Sequence, residues 1–318
     1  MNNEQREKVY ALLDSMDIQY GKVDHPPMFT QSDSEARGVQ IDAVIFKNLF
    51  LRNKNKSRYY VYSLPLTSRA DLYAVAAALG ESRLSFGDDK ALQEKLNIQP
   101  GSVSFLNIIG AEKTDVTVLI DSSAFFCNRI GVHPNDNTAT VILKPYDIQR
   151  ILNACGVEYR FLALDNSEAN IEIAKETDAA EILRLQYAAY QSEAIIYNDY
   201  SIQPLTQTLE QAKAEYRDST VLKTVSDGRI IGSVRGYEKD DTVYIGKLMV
   251  LPGYQNKGLG KRLLEAIENE FPRRRYELFT GEKSEKNLAL YEKCGFRRFK
   301  TEKTTPELIF IYLEKDPR

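Results

Sequence analysis

The run Val250-Leu251-Pro252-Gly253-Tyr254-Gln255-Asn256-Lys257-Gly258-Leu259-Gly260-Lys261-Arg262-Leu263-Leu264 constrains this chain more than any other segment. An apolar stretch, Tyr244 to Val250, reads as a strand and enters a loop holding Gln255, Gly258 and Gly260. Leu259, Leu263, Leu264 and Ile267 then fall on one stripe of a helix. A strand-to-helix turn rich in glycine leaves backbone N–H groups directed at one spot, where the helix N-terminus adds partial positive charge. Such a turn suits a pyrophosphate. On these residues alone an ordinary tight turn is the competing reading.

The downstream residues decide between them. Asn287-Leu288-Ala289-Leu290-Tyr291-Glu292-Lys293-Cys294-Gly295-Phe296 reads as a short helix stopped by Gly295 and followed by a strand. Gln255-x-x-Gly258-x-Gly260 together with Asn287-x-x-x-Tyr291-x-x-x-Gly295-Phe296 resembles the GNAT family of acetyl-CoA-dependent N-acetyltransferases, over roughly Ile171 to Lys315. Many members carry Gly where this chain has Asn256. The resemblance implies acetyl-CoA as cofactor. It implies that the backbone of Gln255, Asn256, Lys257, Gly258, Leu259, Gly260 and Lys261 cradles the pyrophosphate. It further implies that the backbone of Leu248 and Val250 pairs with the pantetheine, that Asn287 contacts the cofactor, and that Tyr291 protonates the departing thiolate. Tyr291 as core packing is the bland alternative. Glu238 and Glu282 are the candidates for a general base, and Arg273-Arg274-Arg275 reads as solvated surface with a phosphate contact as the alternative.

A chain of 318 residues is longer than one hydrophobic core ordinarily serves, so two domains are expected. Residues 1–165 hold 18 Lys+Arg against 20 Asp+Glu, and residues 166–318 hold 24 against 25. Neither half has the basic surplus that advertises nucleic-acid binding, so any RNA site is a local patch. The three cysteines are scattered and only His25 and His133 are present, which points away from a disulfide framework and from a His-based metal site. The polar start and the lack of a long apolar run lead us to expect a cytoplasmic protein with no membrane segment.

The polar stretch Leu164 to Asn170 marks the expected boundary between a domain at 1–165 and one at 166–318. In the first, Val9, Leu12, Leu13 and Met16 form a helical stripe. Val44 to Leu51 and Tyr59 to Leu64 read as paired strands, and Asp71 to Leu79 and Asp88 to Leu96 as helices. Val116 to Ile120 and Thr138 to Leu143 read as further strands, and a helix starts at Pro145 and stops at Gly156. Strands and helices mix without strict alternation, so the expected class is α+β with a mixed sheet.

Three segments stand out there. Lys47 in Phe46-Lys47-Asn48-Leu49-Phe50-Leu51 must place its ammonium in a polar setting or point to solvent from an edge strand. Gly101-Ser102-Val103-Ser104 follows a turn at Pro100-Gly101. Gly131-Val132-His133-Pro134-Asn135-Asp136-Asn137-Thr138 is dense in side chains that bond to nearby backbone. In this order the three resemble the YbaK/ProX family of aminoacyl-tRNA deacylases, over about residues 3–164, and most closely its free-standing prolyl-tRNA editing members. Where members often carry Pro after the second segment, this chain has Phe105 after Ser104.

The resemblance implies hydrolysis of a mischarged aminoacyl-tRNA, above all Ala-tRNA(Pro), with the tRNA(Pro) acceptor end as partner and prolyl-tRNA synthetase as a further partner to consider. Lys47, Asn48 and His133 are then the catalytic candidates, and Gly101, Ser102, Asp136 and Asn137 line the substrate. Lys47 supplies a fixed cation where an oxyanion develops, without metal or covalent nucleophile. A pocket sized for proline cannot exclude alanine by binding alone, which is why a second, smaller sieve is needed. The resulting expectation is a bifunctional enzyme, deacylase then acetyltransferase, whose amine acceptor the sequence does not identify. The alternatives are an N-terminal module that binds tRNA without hydrolysis, or one that regulates or dimerises the acetyltransferase.

Overall fold

The apolar runs become strands of two separate sheets, one in each of two compact units, Met1–Asp165 and Asn166–Arg318. A computed structural model describes residues 3–27, 40–98, 101–109, 115–164 and 168–317. Of the expected boundary stretch, residues 165–167 lie outside that range, as does Pro100 of the expected turn.

The first unit contains helices α1 (Asn3–Ser15), α2 (Leu72–Leu79), α3 (Asp89–Leu96) and α4 (Asp147–Ala154). Its strands are β1 (Gly21–Asp24), β2 (Val44–Asn53), β3 (Tyr59–Pro65), β4 (Leu84–Phe86), β5 (Val116–Asp121), β6 (Ile130–Val132), β7 (Ala139–Leu143) and β8 (Tyr159–Leu162). They form one mixed sheet in the order β1-β7-β6-β2-β3-β5-β8, with β4 also on β2. Pairs β6–β2, β3–β5 and β5–β8 are parallel and the others antiparallel.

Local chemistry sets the helix ends. Asp71 accepts from the Tyr73 and Ala74 amides at the start of α2, and Gly80 closes it in the left-handed region. Asp88 caps α3 through the Ala91 amide. The stripe on α1 is buried as its spacing requires: Val9 and Leu13 are fully covered, and Leu12 and Met16 pack alongside. They join Phe46, Phe50, Val61, Ile148 and Leu152 on one side of the sheet, while Leu51, Tyr60, Tyr62 and Leu64 form a second cluster with Val75 of α2.

The second unit holds α5 (Ala179–Tyr197), α6 (Gln203–Thr206), α7 (Leu209–Ala214), α8 (Leu259–Glu270) and α9 (Glu285–Lys293). Strands β9 (Asn170–Ile173), β10 (Thr220–Ser226), β11 (Arg229–Lys239), β12 (Thr242–Val250), β13 (Arg275–Gly281), β14 (Arg297–Lys303) and β15 (Ile309–Lys315) are ordered β14-β15-β13-β12-β11-β10-β9. Only β12–β13 is parallel. Leu263, Leu264 and Ile267 of α8 enter one core with Leu288 and Tyr291 of α9 and Leu278 and Leu313 of the sheet. The chain is therefore an α+β protein of two domains.

Candidate active sites

In the first unit, β2 lies between β6 and β3, so Lys47 is on an internal strand and not on an edge. The β2–β3 register runs unbroken from Phe46↔Pro65 to Arg52↔Tyr59. Successive side chains on a regular strand face opposite ways. Asn48 therefore faces with Phe46 and Phe50, and Lys47 with Leu49 and Leu51. The adjacent Lys-Asn pair thus serves both faces of the sheet.

Lys47 is half-buried, and its Nζ donates to the Leu66 carbonyl at 3.0 Å. Among the described residues no carboxylate pairs with it. An ammonium held in partial burial by a single carbonyl retains donors for an incoming group. Strand β6 leads toward the second residue. Ile45 pairs with Gly131 at the end of the parallel β2–β6 pairing; Lys47 lies two residues beyond Ile45 on β2, and His133 follows the last residue of β6. A Cβ on Gly131 would stand 2.6 Å from Ile45 Cδ1 and 3.0 Å from Thr140 Cγ2, so a side chain there would require Ile45 to shift.

His133 Nδ1 lies 3.1 Å from the Ala139 carbonyl, which assigns the ring proton to Nδ1 and leaves Nε2 as an acceptor. Burial holds its pKa below the ordinary 6.5, so the ring is neutral at pH 7. His25, which sequence reasoning met only when excluding a metal, stands beside it with ring centroids 6.2 Å apart. Its Nε2 is 2.9 Å from Thr140 Oγ1 and its Nδ1 2.9 Å from the Pro26 carbonyl. That the chain has just two histidines was the signal available in the sequence.

Asn48 meets the second segment, which is in turn tied to the third. Asn48 Oδ1 accepts from the Phe105 amide at 3.3 Å, and its buried Nδ2 has no partner. Ser104 caps the turn Phe105–Ile108 in a reciprocal box with Asn107. Asn107 Nδ2 donates to the Ser102 carbonyl at 3.3 Å and to Asn135 Oδ1 at 2.8 Å. Gly101 has φ +88°, which a side chain would resist. Asp136 accepts from the Thr138 amide and hydroxyl at 2.8 and 2.7 Å and so shapes the turn, while Asn137 is half-buried. Asn107 and Asn135, which tie the loops together, were not among the sequence candidates.

In the second unit, β12 and β13 pair only over Thr242–Tyr244 with Arg275–Glu277. Beyond that β12 stays on β11 as far as Val250, and β13 stays on β15 as far as Gly281. The sheet forks, and the β12 side of the fork carries Leu248 and Val250. The β11–β12 register shifts between Ser233 and Arg235, and Lys247 sits at the irregularity with φ +49°.

Gln255 Nε2 reaches back to the Val250 carbonyl at 3.0 Å and ties the loop to the end of the strand. Asn256 (φ +61°) and Gly258 (φ +82°) turn the backbone. Gln255, Asn256, Lys257 and Gly258 are exposed, and Gly258 begins α8 with no side-chain cap. Leu259 is buried, Gly260 half-buried and Lys261 exposed. The first amides of an uncapped helix have no internal acceptor, which fits an anion. Gly260 has a different reason to be small: a Cβ would stand 3.1 Å from Leu290 Cδ2 of α9, so it governs helix packing rather than the loop's open face.

Tyr291 is buried in the core, and burial raises its phenol well above the ordinary 10, with Tyr190 and Glu193 adding to the shift. Glu193 of α5 was not foreseen. It receives Asn287 Nδ2 at 3.1 Å and the Ser284 hydroxyl. Glu238 pairs with β12 at Val243, the end away from the fork, and is bonded to Arg274 Nε at 2.6 Å. Arg275 is paired with Glu277 and Glu314, so two of the three consecutive arginines are engaged in ion pairs. Glu282 follows β13 at the open end of the fork. Among the described residues no group of three His, Cys, Asp or Glu is placed to hold a metal ion, and no helix is long and apolar enough to cross a membrane.

By architecture these are a mixed-sheet domain with a partly buried lysine on an internal strand and a histidine just past the end of the neighbouring strand, and a forked-sheet domain whose loop leads into a helix start with no side-chain cap. The chain belongs to the aminoacyl-tRNA editing domain family, matched over residues 25–151, and carries an acetyltransferase (GNAT) family domain over residues 180–296. It is 30% identical to the prolyl-tRNA editing protein ProX of Acetoanaerobium sticklandii over 164 residues, 52% of this chain and 100% of that one. It is 28% identical to the mouse prolyl-tRNA synthetase associated domain-containing protein 1 over 168 residues, 51% and 98% of the two chains. A likeness is also found to the PaiA N-acetyltransferase of Thermoplasma acidophilum in complex with coenzyme A, at 21% identity and TM-score 0.39, covering 47% of this chain and 99% of that one.

Proposed function

We propose that the chain is a bifunctional enzyme. Its first unit hydrolyses alanyl-tRNA(Pro), and its second transfers acetyl from acetyl-CoA to an amine. Family membership supports deacylase and acetyltransferase activity in general. The observation that carries the first half is Lys47, a half-buried ammonium on an internal strand that bonds a carbonyl and, among the described residues, no carboxylate, with His133, its pKa lowered by burial, just past the end of the neighbouring strand β6.

In this reading the aminoacyl ester lies over β2 with its carbonyl oxygen toward Lys47. Water attacks the carbonyl carbon, and Lys47 stabilises the developing oxyanion. His133 Nε2 accepts a hydrogen bond from the water and holds it in line. Collapse expels the ribose oxygen, which takes up a proton, and releases the free amino acid. Asn48, Gly101, Ser102, Asp136 and Asn137 shape the walls through the loops that Asn107 and Asn135 lock.

The fork between β12 and β13 carries the second half. The pantetheine amides would bond the backbone of Leu248 and of Val250, whose carbonyl also accepts from Gln255, and the pyrophosphate would take the amides from Gln255 to Lys261. Tyr291, kept protonated by burial, would donate to the leaving thiolate. Asn287 would act beside it, through Glu193 or on the cofactor directly.

The test is hydrolysis of alanyl- and prolyl-tRNA(Pro) by the full chain, with acetyl-CoA binding measured by calorimetry on the same preparation. The alanyl ester should be cleaved at least tenfold faster, since a volume sieve discriminates by exclusion. Absence of hydrolysis with intact tRNA binding would make the first unit a targeting module, and equal rates on both esters would remove the proposed specificity.

A further inference from the structure

On the α5 side of the second sheet, at the irregularity in β12, charged and polar side chains converge in a way the acetyl-CoA site does not use. Lys247 Nζ is bonded to Glu215 Oε1 and Oε2 at 3.1 and 3.0 Å and to Gln207 Oε1. Arg235, the β11 partner of Gly246, bonds the same Glu215 carboxylate. Two cations therefore share one carboxylate. The Tyr216 hydroxyl is buried with no partner. Tyr216, Glu215, Arg235, Lys247, Ser233 and Met249 line a common cavity. Asp178, another acid that acts on Tyr216, is already bonded to Lys223 at 2.8 Å.

A purely structural ion pair would match charges one to one and satisfy its hydroxyl, because an unmatched half-buried charge and an orphaned donor both destabilise the fold. Here one positive charge and one hydroxyl are left over, facing the same space. Burial, first, and the nearby Arg235 push the Lys247 ammonium down to about 8, against the opposing pull of Glu215. An arginine fork bonded on one side offers its remaining N–H groups to a planar carboxylate. Lys247 immediately precedes Leu248, so an anion bound here lies close to the fork.

We infer that the acetyl acceptor carries a carboxylate close to its amine, as a free α-amino acid does, and that Arg235, Lys247 and Tyr216 receive that carboxylate. This rests on the acetyltransferase reading above. The neutral amine attacks the acetyl carbonyl and the C–S bond breaks. The thiolate takes up a proton to become the CoA thiol, and the amine's surplus proton passes to solvent. The amino acid released by the proposed hydrolysis in the first unit belongs to this acceptor class.

The experiment uses the full chain with acetyl-CoA, following release of the CoA thiol with each of the proteinogenic amino acids and with its amide. At least one amino acid should be acetylated with kcat/KM tenfold or more above its amide. Arg235→Gln and Tyr216→Phe should each raise KM for that amino acid about tenfold while leaving KM for the amide and the calorimetric affinity for acetyl-CoA unchanged. Arg235→Lys, which keeps the charge but loses the fork, should recover part of the loss. Equal rates on acid and amide, or no transfer to any amino acid by a protein that binds acetyl-CoA, would overturn the inference alone. Failure to bind acetyl-CoA would remove the acetyltransferase reading and the inference together.

Discussion

The side-chain amide of Asn107 donates to Oδ1 of Asn135 at 2.8 Å, with both residues buried. This one bond joins the loop after Gly101 to the loop after His133. It also explains the left-handed backbone of Asn135 (φ +63°), a conformation that asparagine tolerates better than most residues. Asn135→Ala should lose the acceptor, orphan the Asn107 amide and strain the backbone, destabilising the protein by roughly 2–3 kcal/mol. Asn135→Gly keeps the backbone relaxed and should lose less. Denaturant unfolding of the two variants tests this; equal losses would show that backbone strain plays no part.

Lys47→Ala should slow deacylation by on the order of 10²-fold or more, as removal of an oxyanion donor does. Lys47→Arg should rescue poorly, because a planar fork cannot occupy the place of an ammonium bonded to the Leu66 carbonyl. Acetyl-CoA binding should be the same in all three proteins. Hydrolysis at the wild-type rate by the alanine variant would remove Lys47 from the chemistry.

The two glycines of the loop proposed to bind acetyl-CoA should respond differently. A Cβ on Gly258 meets nothing within 4 Å, but φ is +82° and the residue is exposed at the helix start. Gly258→Val should therefore fold with a modest loss of stability and weaken acetyl-CoA binding strongly. At Gly260 the Cβ meets only the end of Leu290, so Gly260→Ala should leave binding nearly intact, and Gly260→Val should lower the unfolding temperature as α8 and α9 are pushed apart. Calorimetry and thermal unfolding, read side by side, distinguish the two positions.

Tyr291→Phe should preserve acetyl-CoA affinity and reduce turnover, because a proton donor acts on the transition state more than on the bound ground state. Unchanged turnover would leave Tyr291 as a packing residue of the core it shares with Leu288.

Asp147, buried in the first turn of α4, has its carboxyl raised by burial from 3.8 to about 6, against the opposing pull of Arg150 and Lys144. The folded state thus holds this proton more tightly than the unfolded state. Its contribution is present below about pH 4 and is lost as pH rises through 6. Asp147→Asn should gain stability on the wild type between pH 4 and pH 7, and a constant difference across that range would refute the shift.

Much of this was readable beforehand, for reasons that can be named. The stripe on α1, the caps at Asp71 and Asp88 and the stop at Gly80 are local rules acting within one turn, so sequence shows them directly. That β2, with Lys47, lies beside β6, which leads into His133, depends on a parallel pairing that joins distant segments and leaves no local trace. Glu193 was missed for a related reason. It lies on a helix remote in sequence from Asn287, and only the packing of α5 near α9 brings them within 3.1 Å. Lys47 was open to a solvent-facing reading because nothing in Phe46 to Leu51 tells an internal strand from an edge.

The fork between β12 and β13 has a thermodynamic consequence. Its strand edges must be hydrated when empty, since a backbone amide left dry and unpaired is strongly disfavoured. A ligand that enters supplies its own amides and completes the sheet as a non-protein rung. Hydrogen bonds are thereby exchanged rather than gained, so the net drive comes from released water and from the apolar flanks of the slot. Binding of this kind has the signature of a small folding reaction. It should show a negative heat-capacity change and should slow amide hydrogen exchange along Ile245–Val250 and Leu278–Gly281 together, although only one of those strands leads into the loop proposed for the phosphates.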